Sequence, residues 1–174
     1  MSNKTITMLP VKPFQETLHG SFCGPACLKM ILDYYGVNKS EHELAQLTNK
    51  NDELGISSQD MRMVAENFGF KVEIKDFATF KDIQHWLGKD IPVIVNWFSR
   101  GRYDYDEDEV ADGHNSVVVG LDIGYIYLQD PEVGRVRKIR REDFFRVWFD
   151  FSSDHIEKWE DMIIRQIIAV YITY

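Results

Sequence analysis

The sequence predicts an α+β fold in which a mainly helical half precedes a mainly antiparallel sheet. Between residues 23 and 90 apolar side chains recur at helical spacing, and Gly36, Gly69 and Gly88 punctuate the runs. From residue 91 onward, short runs rich in Val, Ile and Tyr are separated by turn formers, the pattern of a meander. Helices first and antiparallel strands later is the α+β order. No repeat, low-complexity tract or Pro/Gly/Ser linker divides the chain, so residues 1–174 read as one domain. It comprises an extended lead-in at 1–22, a mainly helical lobe at 23–90 and a mainly antiparallel sheet at 91–174.

Each element has its own signal. Pro10 and Pro13 keep the lead-in extended. A first helix over 23–35 carries Leu28, Ile31, Leu32 and Tyr35 as its apolar stripe, and Gly36 stops it. Ser40 and Glu43 form a capping box for a short helix to about Leu47. Ser57 or Ser58 caps a third helix whose Met61, Val64, Ala65 and Phe68 face inward, with Gly69 as the stop. A short strand at 70–74 follows, and Thr79 with Asp82 opens a fourth helix ending at Gly88. Residues 91–98 read as a buried strand, and 114–121, 126–129 and 135–139 as shorter ones. A helix over 142–148, a second near 155–162 and a closing strand at 167–172 complete the chain.

Composition excludes several functions. The 174 residues hold 28 acidic and 20 basic side chains, a formal charge of −8 with no basic stripe. Nucleic acid is therefore not an expected partner, because phosphate binding needs clustered Lys and Arg. The apolar runs are too short to span a bilayer, and the N-terminus lacks the apolar segment of a secretory signal. A cytoplasmic location is expected. Cys23 and Cys27, the only cysteines, stand four residues apart, a separation on one helix that suits neither a disulfide nor, without further ligands, zinc. Two free thiols fit a reducing compartment. No metal or other cofactor is expected, and nothing in the sequence speaks to oligomeric state.

The chemistry-bearing residues are few. Cys23 opens a helix in Phe22-Cys23-Gly24-Pro25-Ala26-Cys27-Leu28. Unpaired backbone N–H groups and the macrodipole favour negative charge there, and the thiolate is the nucleophilic form. Downstream, Gly113-His114-Asn115-Ser116-Val117-Val118-Val119-Gly120 opens a strand with a histidine, and Asp130-Pro131 closes the next. Asp122-Ile123-Gly124 joins the two strands as a tight reversal, which brings His114 and Asp130 towards one end of a sheet. Cys, His and Asp are the parts of a nucleophilic triad. Each also has a plainer reading: buried thiol, strand-end polar residue, turn initiator. Cys27, one turn further in, reads as core.

Gly24, Trp97 and Gly113 are the candidate substrate-binding residues, Gly24 because it lets a substrate backbone come close. Trp97, Phe98, Tyr103 and Tyr105 either line a cleft or pack internally. Asp104, Asp106 and Asp108 alternate, yet the glycine and glutamate of a calcium loop are missing, so residues 103–112 read as a solvated acidic loop beside His114. His19, His42, His85 and His155 sit in polar contexts and read as inert.

Taken together, Cys23-Gly24-Pro25-Ala26-Cys27-Leu28-Lys29-Met30-Ile31-Leu32-Asp33-Tyr34-Tyr35-Gly36, the histidine strand at 113–120, Asp130-Pro131 and Leu54-Gly55-Ile56-Ser57 before the third helix resemble the papain-like cysteine peptidases of the C39 type. These are the bacteriocin-processing peptidase domains and their stand-alone relatives, and the resemblance spans roughly residues 9–150. It implies a papain-like fold, with a nucleophile helix packed on a twisted antiparallel sheet. It implies Cys23 as nucleophile, His114 as general base and acid, and Asp130 as the group that orients His114. Gln15 is the upstream glutamine whose amide would help hold the oxyanion, although it stands eight residues before Cys23, a longer spacing than the family's usual one.

The implied activity is hydrolysis of peptide bonds through a thioester, after a Gly-Gly-type leader, with a peptide or small peptide as partner. Two other activities fit the same residues. One is transpeptidation or amide hydrolysis on small γ-glutamyl peptides, the layout of phytochelatin synthase; the other is peptide binding without catalysis.

Overall fold

The computed structural model describes residues 8–17, 22–48, 55–99, 113–151 and 157–173. The helical half contains α1 (Cys23–Tyr34), α2 (Glu41–Gln46), α3 (Ser58–Asn67) and α4 (Phe80–Leu87), with strand β1 (Lys71–Lys75) between the last two. The second half contains β2 (Val93–Phe98), β3 (Gly113–Leu121), β4 (Tyr125–Asp130), β5 (Arg135–Arg140), α5 (Arg141–Val147), β6 (Phe149–Phe151), β7 (Met162–Ile164) and β8 (Ile167–Tyr171). This is the expected helix-and-antiparallel-sheet arrangement.

Local chemistry explains the helix starts. Ser40 and Glu43 exchange hydrogen bonds at the head of α2, as do Ser57 and Asp60 at the head of α3, so Ser57 rather than Ser58 is the cap. At α4 the Thr79 N–H donates to Asp82 Oδ2 at 2.7 Å. Gly36 and Gly69 end α1 and α3 with φ of 82° and 84°, backbone angles that glycine adopts without the steric cost of a Cβ.

Six strands form one antiparallel sheet in the order β1-β8-β2-β3-β4-β5. The closing strand thus slots between β1 and β2, while β2 to β5 form the meander. Strand alternation divides the core in two. Ile94, Val117, Val119, Ile168 and Val170 pack with Leu28, Ile31 and Leu32 of α1 and with Leu44, Met61 and Val64. Val93, Val95, Trp97, Val118 and Leu128 pack with Ile83 and Trp86 of α4 and with Phe144 and Trp148 around α5. Helices therefore cover both faces, and α1 packs against β3, the strand that carries His114.

The helix expected near 155–162 is not formed over its described part. Trp159–Asp161 make one 3-10 turn, and Met162–Ile164 pair with Phe149–Phe151 as a two-stranded ribbon. Trp159 is exposed, so no apolar stripe holds a helix there. The strand at 149–151 was not expected, and three residues are too few for a period-2 signal. Among the described residues no helix is long and apolar enough to cross a membrane.

Candidate active site

Cys23 is the first residue of α1 and is 8% exposed. The N-cap residue of this helix is Phe22, whose side chain makes no capping hydrogen bond to the first backbone N–H groups. The helix lies close to the loop before α3: a Cβ on Gly24 would collide with Ile56 and come within 3.1 Å of Met61. Gly24 is buried, and its lack of a Cβ makes room for Ile56 in this internal packing.

His114 and Asp130 come from the neighbouring strands β3 and β4. His114 Nε2 lies 2.8 Å from Asp130 Oδ1, and the imidazole sits near enough to Cys23 to feel that residue electrostatically. The carboxylate is held firmly. Its Oδ1 accepts the Glu132 N–H at 3.0 Å, and its Oδ2 faces Arg137 Nε at 2.5 Å. Arg137 in turn reaches Glu132 at 3.1 Å. Burial works against a charged imidazole, but the hydrogen bond to Asp130 and the interaction with Cys23 outweigh it and push the His114 pKa up to about 10. Burial likewise opposes ionisation of Asp130, yet the bond to His114 and the charges of His114 and Arg137 hold it below the usual carboxylate range. Arg137 was not foreseen, because a basic residue on a strand rich in Arg and Lys carries no signal of its own.

Trp97 lies opposite His114 on β2 and is 1% exposed. Its ring packs edge-on against the imidazole with centroids 5.7 Å apart, and Nε1 donates to Ser116 Oγ at 2.9 Å. It supports His114 from within and does not line a cleft. Gly113 is also a packing residue, since a Cβ there would fall inside the Asp150 carboxylate. Cys27 is completely buried, with its thiol pKa pushed well up by burial and then by Cys23, and both cysteines are free. His42 hydrogen-bonds Gln46 at 2.9 Å. The acidic loop at 103–112, with Tyr103 and Tyr105, and His19 and His155 lie outside the described residues.

The lead-in departs from expectation. Gln15 is exposed, and its amide donates to the Glu132 carbonyl at 3.2 Å instead of serving Cys23. The inward-facing neighbour is Glu16, whose N–H donates to the Pro131 carbonyl at 2.8 Å and whose Oε2 is buried without a hydrogen-bond partner among the described residues. Burial pushes its pKa up to about 7; the charge of His114 opposes this, and Glu41, Glu132 and Asp130 reinforce it. The sign of the consequence is fixed. A raised acid pKa means the folded chain keeps a proton that the unfolded chain releases, so stability falls as pH rises from about 4.5 to about 7. Thermal midpoints should accordingly fall more between those pH values for the wild type than for Glu16→Gln. Parallel curves would refute that assignment.

His114, Asp130 and Glu132 bring potential metal-ligand atoms within 4.8 Å of one another. However, Nε2 and Oδ1 already share a hydrogen bond, and Oδ1 also takes the Glu132 N–H, so both atoms are committed to each other. Asn115 Nδ2 approaches Cys23 Sγ at 3.4 Å, a contact the sequence reading passed over. Polar residues at 96 and 115 inside otherwise apolar strands were the available signal.

Residues 14–152 match the family model described as Peptidase C39 family. The Lactococcin-G-processing and transport ATP-binding protein LagD of Lactococcus lactis subsp. lactis is 31% identical over 129 residues, 72% of this chain. The match spans only 16% of LagD's own length. An uncharacterized protein of Methanothermobacter marburgensis is 31% identical over 147 residues, 82% of this chain and 86% of that one. Among solved structures, a putative C39-like peptidase from Bacillus anthracis superposes with a TM-score of 0.72 at 18% identity, covering 98% of this chain and 99% of that one. The peptidase domain of Streptococcus ComA, a bifunctional ABC transporter, gives 0.66 at 19% identity, with coverage of 94% and 99%. A double glycine motif protease from an AMS/PCAT transporter, in complex with the leader peptide, gives 0.63 at 19% identity, with coverage of 98% and 100%. At these identities the structural likenesses establish the fold.

Proposed function

Because the chain belongs to the peptidase C39 family, we propose that it is a cysteine peptidase in which Cys23 is the nucleophile, His114 the general base and acid, and Asp130 the group that orients His114. The observation that carries this reading is the buried Asp130–His114 hydrogen bond, with Cys23 beside that imidazole at the start of α1. In the resting pair the imidazolium faces the sulfur. The thiolate attacks the peptide carbonyl carbon, and the C–N bond breaks as His114 passes its proton to the leaving amine. Neutral His114 then takes a proton from water, whose oxygen attacks the thioester and releases the acid and the free sulfur. The Cys23 backbone N–H, at the positive end of α1, is the first donor to the oxyanion.

The similarity to a double glycine motif protease bound to a leader peptide supports a substrate cleaved after Gly-Gly. The chain should release products ending in glycine from such peptides, and mass spectrometry of quenched reactions should find the acyl peptide on Cys23 and none on Cys27. Transfer of the acyl group to an added amine in preference to water would make the chain a transpeptidase. A folded chain that binds the peptide without acylation would be a binding module.

A further inference from the structure

We propose that Asn115 is an additional catalytic residue: its side-chain amide donates to the Cys23 sulfur and, together with His114, holds that sulfur as the thiolate, in a direction set by Asp150 through Asn96. This rests on the peptidase reading above.

Four side chains from four elements make the chain of contacts. Asp150 lies on β6, Asn96 on β2, Asn115 on β3 and Cys23 on α1. All are buried: Asp150 8%, Asn96 4%, Asn115 7% and Cys23 8% exposed. Asn96 and Asn115 are direct register partners across β2 and β3. Asp150 gains its place because Gly113 has no Cβ; only glycine leaves room for that carboxylate.

The polarity of the chain follows from its end. A carboxylate only accepts hydrogen bonds, and Asp150 Oδ1 already accepts the Phe151 N–H at 2.7 Å. Asn96 therefore turns its Nδ2 to Asp150 Oδ2, at 3.4 Å, and the same nitrogen donates to Asn115 Oδ1 at 3.0 Å. Reversing the Asn96 amide would set its oxygen against two acceptor oxygens. With its own oxygen taken, Asn115 can present only Nδ2 to the sulfur, at 3.4 Å. Cys23 Sγ thus faces an amide N–H, with the His114 imidazole near enough to interact with it electrostatically. A sulfur that accepts from an amide donor beside an imidazolium is matched best when it carries negative charge and no proton. The titratable groups around this cluster are His114 on β3, Asp130 on β4, Glu16 in the lead-in, Cys27 on α1 and Asp150 on β6.

The test measures alkylation of Cys23 by a small electrophile in the full chain, at neutral and at strongly alkaline pH, with the labelled residue identified by peptide mapping. Asn115→Ala and the isosteric Asn115→Asp should slow labelling at neutral pH by roughly 10- to 100-fold, the size expected for a lost hydrogen bond to a charged group. At alkaline pH, where any thiol ionises, the variants should approach the wild-type rate, a convergence that a misplaced sulfur would not give. Asn96→Leu, which frees the Asn115 amide to turn, should move labelling in the same direction by less. Far-ultraviolet circular dichroism identifies which variants keep the fold, and either Asn115 variant suffices. A folded Asn115 variant that labels at the wild-type rate at neutral pH overturns the inference. If His114→Ala slows labelling while the Asn115 variants do not, this inference fails alone. If neither does, the peptidase reading fails with it.

Discussion

Cys23→Ala and His114→Ala should each lower kcat/KM for peptide cleavage by on the order of 10,000-fold or more, and the double variant should be no worse than either single one. On the proposed mechanism the two side chains act as one unit. Without the sulfur there is no thioester, and without the imidazole the leaving amine departs unprotonated. His114 hydrogen-bonds Asp130 and interacts electrostatically with Cys23, so its removal takes away the residue between them. Neither change should unfold the chain. Cys23 loses only its sulfur, and after His114→Ala the Asp130 carboxylate still has Arg137 and the Glu132 N–H. Progress curves with a Gly-Gly peptide, beside thermal melts, separate chemistry from stability. A loss of only about tenfold in His114→Ala would point to another base, and additive losses in the double variant would mean that the two residues do not work together.

How much of this was legible beforehand depended on how local each cause is. The capping pairs Ser40–Glu43, Ser57–Asp60 and Thr79–Asp82 act over three residues, so the starts of α2, α3 and α4 could be read directly. The glycine stops at Gly36 and Gly69 are equally local. The insertion of β8 between β1 and β2 was not visible, because strand order depends on pairings about a hundred residues apart. The same distance rule divides the site. Cys23, His114 and Asp130 were singled out by their neighbours in sequence. Gln15, read by its type alone, has its amide on Glu132, whereas the next residue, Glu16, faces inward; a turn of one residue in an extended segment reverses which side chain is buried. Asn115 acquires its direction only from Asn96 and Asp150, which lie 19 and 35 positions away. No local pattern encodes such an amide. Trp97 and Gly113 were picked out for their place near the site, and the structure turns both towards internal packing.

Asp130→Ala should be the most destabilising single change in the site, by about 3–5 kcal/mol, the usual cost of removing one partner from a buried ion pair. The Asp130 side chain is 0% exposed and Arg137 14%, so water does little to replace the lost carboxylate. Three groups lose a partner at once: the His114 ring, the Arg137 guanidinium, which keeps Glu132, and the Glu132 N–H. In a chain of this length that cost corresponds to a fall in thermal midpoint of roughly 6–20 °C. Its pH dependence identifies the cause. The Asp130 pKa is lowered on folding, so its contribution is present above the ordinary carboxylate range and is lost as pH falls through the folded value. The His114 pKa is raised, so its contribution is present below the ordinary imidazole range and is lost as pH rises through the folded value. The gap between wild type and Asp130→Ala should therefore be widest at mildly acidic pH, between the ordinary carboxylate and imidazole ranges, and should narrow towards both extremes. Asp130→Asn, which keeps the shape and one acceptor for the ring, should melt between the two. Melting of Asp130→Ala within about 2 °C of wild type at neutral pH, a shift worth no more than about 1 kcal/mol, would show that the charges of this pair contribute little to holding β3, β4 and β5 together.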